Sequence, residues 1–204
     1  MTDKNIRKPK QQRSIEKRNQ IKQTALQLFS AKGYHKTTSN EIAKEADLAI
    51  GTFYSYFADK KNLYEELVLD MYKKILEDLP EISITDSPTP YDFVRSYIQA
   101  VLESHNYMPA FQHEVSVVAE QYEEFYQLEK NFRSRITAKL MSILLEHPAL
   151  LRVTDYKLAG VMVQTCIEAF IHETSFHANS FDSTHVINNL ADMICQYLFK
   201  PEYL

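Results

Sequence analysis

Apolar residues recur at helical spacing along most of the chain, and breaks in the spacing mark the elements. Ile21, Ala25, Leu28 and Phe29 fall at i, i+4, i+7 and i+8, one stripe of an amphipathic helix over about 14–32. Gly33 follows, where a helix end takes a left-handed residue. Thr38 and Glu41 stand as T-x-x-E, a capping signal for a second helix with Ile42, Ala43 and Ala46 inward. A turn at Asp47-Leu48-Ala49 leads to a short third helix, about Ile50–Phe57, with Ile50, Phe53 and Phe57 on one face. On a helical wheel Gly51, Thr52, Ser55 and Tyr56 point away from that face, and Tyr54 lies on its flank. Asp59 caps a long fourth helix with Leu63, Leu67, Met71, Ile75 and Leu79 in register.

Residues 80–90 hold three prolines and read as a loop. Thr89 and Pro90 restart a helix as N-cap and first residue, burying Phe93 or Val94, Tyr97, Val101 and Leu102. Pro109 opens a run to about Glu146 whose lack of Gly and Pro leaves any break unplaced, and His147-Pro148 ends it. Two helices follow, about 155–178 and 184–199, the second after an Asp182-Ser183 start signal. Between Leu158 and Ile171 ten of fourteen residues are apolar and surround the helix, so it needs cover on all sides. The last helix carries a stripe of Val186, Leu190, Met193 or Ile194, and Tyr197. The pattern predicts an all-α protein, and only three glycines, Gly33, Gly51 and Gly160, argue against a turn-rich β fold.

Composition alone is that of an ordinary globular chain, but charge divides it. Residues 1–61 hold 13 Lys/Arg against 6 Asp/Glu, and the rest of the chain is acidic, 10 against 21. A basic end is the footprint of a polyanion binder, or of a solvated tail. Residues 1–13 are polar and basic and cannot order alone. Cys166 and Cys195 lie in apolar helical runs, as reduced core thiols of a cytoplasmic protein do. No apolar segment follows the charged N-terminus, so no signal peptide is expected. The longest strongly apolar stretch, Leu158–Ile167, makes about 15 Å of helix, too short for a bilayer.

Helix, tight turn, helix over 37–56 is the helix-turn-helix layout, whose second helix enters the major groove. Its residue types suit phosphate contact. Gly51 permits close backbone approach, Thr38 and Ser39 bring hydroxyls to a helix start, Tyr54 and Tyr56 can donate, and Lys60 adds charge. The stretch AKGYHKTTSNEIAKEADLAIGTFYSYFADKKNL resembles the signature of TetR-type bacterial transcriptional regulators. Phe29, Gly33, Thr37, Thr38, Ile42, Ala43, Gly51, Thr52, Phe53, Tyr54, Phe57, Lys60 and Leu63 carry the resemblance. Tyr56 stands where many members have His, and Ala49-Ile50 replaces a more polar pair, so Ile50 either meets a thymine methyl or is core.

The resemblance implies a DNA-binding domain over 14–74 joined by a long helix to an effector-binding and dimerisation domain over 75–204. It implies Thr38, Ser39, Gly51, Thr52, Tyr54, Tyr56 and Lys60 as DNA contacts, and a break in the 109–146 run near Glu120–Glu124. It implies a homodimer through the helices of about 155–178 and 184–199, bound to a near-palindromic double-stranded operator. It also implies a cavity for a small lipophilic effector. Tyr97, Phe111, Val115, Phe125, Phe132, Met162 and Phe170 are its candidates, with Glu103 or Glu114 as a counter-charge or merely solvated. The alternatives are a dimeric DNA-binding protein without a small ligand, and a helical scaffold. No catalytic, metal or cofactor site is expected, and no membrane association. His172 and His177 are five apart, about 140° around a helix, so they cannot share a metal as an i, i+4 pair does.

Overall fold

A computed structural model describes residues 12–78, 84–176 and 182–204, without the side chains of 172–176. The basic arm up to residue 11, Leu79, the side chains of His172 and Glu173, and His177 therefore lie outside the described residues. Nine α-helices and no strands are present among the described residues: α1 Gln12–Lys32, α2 Ser39–Glu45, α3 Ile50–Tyr56, α4 Lys60–Asp78, α5 Pro90–His105, α6 Pro109–Ala119, α7 Glu123–Leu145, α8 Tyr156–Phe176 and α9 Ser183–Leu198. The chain forms two compact units, one of residues 1–74 with 108–128, the other of 75–107 with 129–204.

Local signals set the helix starts. The Thr38, Thr89 and Asp182 side chains accept the N–H groups of Glu41, Asp92 and His185, and Asp59 accepts that of Asn62 at 2.8 Å. Glu41 does not simply close a capping box, because its carboxylate pairs with Lys32 of α1. Gly33 ends α1 at φ +86°. The long run after Pro109 breaks between Ala119 and Glu123.

The first unit packs α1–α3 and the start of α4 with α6 and the first turn of α7, although the sequence assigned 108–128 to the second domain. Ile21, Ala25, Phe29, Ile42, Ala43, Phe53, Phe57 and Leu63 are buried as the stripes require. Aromatic rings fill its centre: Tyr64 lies 5.0 Å from Phe29, 4.7 Å from Tyr34, 5.6 Å from Phe111 and 5.1 Å from Phe125. Burial pushes the Tyr64 hydroxyl's pKa well up, and this buried oxygen has no hydrogen-bond partner among the described residues. Glu114 accepts the Tyr34 N–H, so that carboxylate serves the fold of this unit. Arg18 and Lys22 of α1 meet Glu66 of α4. Burial alone would raise the Glu66 carboxyl's pKa, but hydrogen bonds from Arg18 and Lys22 outweigh it and hold it below the ordinary value.

The second unit is a helical core in which α5 lies on both α8 and α9. Phe93, Tyr97, Ile98 and Val101 meet Leu140 and Leu144 of α7, Ala159, Val163 and Ile167 of α8, and Leu190, Ile194 and Leu198 of α9. Chain segments at Leu151 and Phe199 pair in one antiparallel bridge. Burial pushes the Cys195 thiol's pKa up to about 12. Leu158, Val161, Met162 and Phe170 of α8 are exposed, as is Met193 of α9, so the single chain does not cover α8 on all sides. No helix among the described residues is long and apolar enough to cross a membrane.

Candidate nucleic-acid interface

The turn between α1 and α2 positions the first half of the site. Gly33 supplies the left-handed backbone, and buried Thr37 donates its hydroxyl back to the Gly33 carbonyl at 2.8 Å. Lys60 closes the turn from α4, donating to the carbonyls of Tyr34 at 2.7 Å and Thr37 at 2.8 Å. Its ammonium also sits 4.1 Å from the centre of the Tyr34 ring. Burial lowers the Lys60 pKa. Sequence reasoning saw a lysine placed for a phosphate. The structure adds that this lysine pins backbone, through partners more than twenty residues away.

That pinned turn presents Thr38, exposed, and Ser39, half-buried, at the start of α2. Gln20 of α1 donates to the Ala46 carbonyl at 2.8 Å, fixing the other end of α2. Asp47 then takes φ +51° to turn the chain, a conformation short polar side chains tolerate.

Phe53 and Phe57 anchor α3. Gly51 and Ser55 are exposed, Thr52 is half-buried, and Tyr54 is 43% exposed. Two expectations are corrected. Tyr56 does not point outward: it is only 8% exposed and shares a 2.8 Å hydrogen bond with the Ser14 hydroxyl of α1. The reason is helical spacing, since Tyr56 is i+3 from Phe53 and lies on the same face. Ile50 is not core: it is 37% exposed. As the first residue of α3 its Cβ tilts past the helix end, where no earlier turn covers it. Ile50 also lines a shallow recess with Asn40, Ala43, Lys44, Asp47, Leu48 and Ala49, so α2 and α3 present one continuous surface.

Gly51 is the informative residue of this surface. Its backbone is not left-handed, and a Cβ there would meet nothing within 4 Å. Nothing among the described residues requires glycine there, although glycine weakens a helix by about 0.5–1 kcal/mol relative to alanine.

The effector candidates divide between the two units. Phe111, Val115 and Phe125 are buried in the first unit, with Phe111 and Phe125 against Tyr64. Tyr97 is in the core of the second, Phe132 is half-buried, and Met162 and Phe170 lie on the exposed α8 surface. Glu103 is exposed and accepts from Gln99. Apolar character marks burial but not which helices become neighbours. The second unit instead contains a groove of about 710 Å³ between α7 and α8, lined by Lys130, Arg133, Ser134, Thr137, Ala138, Met141 and Leu145 from α7, and Tyr156, Lys157, Val161, Gln164, Thr165 and Glu168 from α8. A buried polar chain backs it. Tyr97 donates to Gln164 at 3.1 Å, Gln164 to Glu168 at 2.9 Å, and Arg133 pairs with Glu168 at 2.6 Å.

Comparison with known proteins places this geometry. The profile of bacterial regulatory proteins of the tetR family matches residues 21–67. That of the tetracyclin repressor-like C-terminal domain matches 89–198, more than half of the chain. The chain is 35% identical over 89 residues to the uncharacterized HTH-type transcriptional regulator YuxN of Bacillus subtilis (strain 168), covering 44% of this chain and 30% of that one. It is 44% identical over 62 residues to the HTH-type transcriptional regulator HbdR of Aromatoleum sp. (strain CIB), covering 29% and 27%. The chain thus spans less than a third of either relative's length. Among solved structures, the flavonoid-responsive regulator FrrA superposes with a TM-score of 0.73 at 18% identity, over 91% of this chain and 98% of that one, a likeness of fold.

Proposed function

The chain belongs to the tetR family of bacterial regulatory proteins and is a helix-turn-helix transcriptional regulator, and from that premise we propose that it represses in the cytoplasm by holding a near-palindromic operator as a homodimer and releases it when a small lipophilic molecule binds. The observation that carries the DNA reading is Gly51, a helix glycine whose missing Cβ would meet nothing among the described residues and which lies on the exposed side of α3. It lets a phosphate backbone approach the start of the recognition helix. Thr38, Ser39, Thr52 and Tyr54 surround that approach as phosphate contacts, and Tyr56 and Lys60 act chiefly by holding α3 and the α1–α2 turn in place. Ala49, Ile50 and Ser55 are left to face bases.

The dimer reading is supported by exposed Leu158, Met162 and Phe170 of α8 and Met193 of α9, which lie outside the groove lining and where Tyr197 also donates to the Met162 sulfur at 3.4 Å. A surface so apolar marks an association site. A two-fold pairing through it repeats one recognition helix at two half-sites about 34 Å apart. The α7–α8 groove is the effector site of this reading, and the flavonoid-responsive neighbour is a precedent for a small-molecule signal on this fold.

The test selects operators from random duplex DNA, then measures binding by fluorescence anisotropy across salt concentrations, with and without candidate ligands. Saturable, salt-dependent binding of two protomers per operator, reversed by a ligand, is expected. Duplex binding no tighter than to random sequence would defeat the regulator reading, and a bound operator that no ligand releases would defeat the effector part.

A further inference from the structure

The walls of the α7–α8 groove carry four charged groups, Lys130, Arg133, Lys157 and Glu168. The single carboxylate is already engaged. Glu168 is buried, takes the Arg133 guanidinium on one oxygen and the Gln164 amide on the other. Arg133 in turn reaches Glu129 with its remaining nitrogens at 2.7 and 3.2 Å. An organic cation would have to displace a guanidinium that both Glu168 and Glu129 hold, from a Glu168 carboxylate that is itself buried, and leaving a buried charge without its partner is unfavourable. Lys130 and Lys157 are different. Both are exposed, and among the described residues neither is in an ion pair. They come from opposite walls and opposite ends, because Lys130 neighbours the Arg133–Glu168 pair and Lys157 adjoins Gly160, which packs against Met141 one turn from Leu145. From Lys130 to Leu145 the α7 wall runs about 22 Å at 1.5 Å per residue. Between the ends lie Ala138, Met141 and Val161.

We propose that this groove selects an elongated amphiphilic anion, its apolar chain along Ala138, Met141 and Val161 and its anionic head met by Lys130 or Lys157. The proposal rests on the reading of the groove as the effector site, and it narrows the effector from lipophilic to lipophilic and negatively charged. The Tyr97–Gln164–Glu168–Arg133 chain keeps the one internal carboxylate neutralised, so that the lysines set the sign of the site.

Three probes with one tail and three heads test it by titration calorimetry on the full chain, below the concentrations at which each forms micelles: dodecanoate, dodecanol and dodecyltrimethylammonium. Dodecanoate binds one molecule per protomer, about threefold to fivefold tighter than dodecanol, the ratio that a single exposed lysine contact can give. The cation binds weakest. The double variant Lys130→Gln/Lys157→Gln, at two exposed positions, brings dodecanoate down to parity with dodecanol. Ala138→Trp fills the groove and separates ligand binding there from the sign of the ligand's charge. If it blocks every probe while the cation or the alcohol binds best in the parent, the groove stands as a ligand site and the anion proposal falls. If the probes bind Ala138→Trp as well as the parent, or none binds the parent, both fall. A dodecanoate preference that survives the double lysine variant also overturns the proposal.

Discussion

Gly51→Ala separates what the fold wants from what DNA wants. The added Cβ enters open space, with no atom within 4 Å, on a backbone an alanine adopts freely. Alanine is the better helix former, so the folded protein gains about 0.5–1 kcal/mol, toward the lower end because Gly51 lies in the first turn. The operator complex loses. A methyl group at the point of backbone approach holds a phosphate off a main-chain N–H, and a hydrogen bond to a charged group contributes about 1.5–3 kcal/mol. That corresponds to binding weaker by about tenfold to a hundredfold. Far-UV circular dichroism in denaturant reads the stability, and anisotropy with the selected operator reads the affinity. Gly33→Ala is the contrast. There φ is +86° and the Cβ would lie 3.1 Å from a Glu114 carboxylate oxygen, so the same substitution destabilises the fold by about 1–2 kcal/mol. If Gly51→Ala lowers stability, the glycine serves the protein. If affinity is unchanged, no backbone comes close to it. Either result refutes the reasoning.

Four further outcomes follow from named contacts. Lys60→Met removes two charge-assisted bonds to the Tyr34 and Thr37 carbonyls and should destabilise the protein by about 2 kcal/mol in denaturant titration; an unchanged midpoint would return Lys60 to a purely DNA-facing role. Tyr64→Phe deletes a buried, unpartnered hydroxyl and should raise stability by about 1 kcal/mol, whereas a loss would mean the oxygen has a bound partner. Glu66 has its folded pKa held below the ordinary 4.5, so its contribution is present above that value and is lost as pH falls through the folded one. Thermal denaturation of Glu66→Gln should therefore show a flatter decline on the acid side, and a parallel decline would count against the Arg18–Lys22–Glu66 cluster. Ile50→Asn should change the selected operator sequence without changing the salt slope, since no charge is removed; an unchanged operator would place Ile50 away from the bases.

What the sequence determined by itself was local. The starts at Thr38, Asp59, Thr89 and Asp182, the stop at Gly33 and the stripes through Phe29, Phe53 and Leu63 were legible because capping and i→i+4 bonding involve residues a few positions apart. The helix-turn-helix is built almost wholly from such signals, and so it could be read. The tertiary structure decided the rest. Tyr56 is held by Ser14, forty-two positions earlier, and Lys60 by carbonyls twenty-six and twenty-three earlier. Phe111 of α6 and Phe125 of α7 join the Tyr64 cluster in the first unit, where α6 packs on α1, a pairing no periodicity announces. The Tyr97–Gln164–Glu168–Arg133 chain draws on three helices. Helix formation is settled within a turn or two of the chain. Which apolar faces meet, and which polar groups they leave between them, depends on long-range packing.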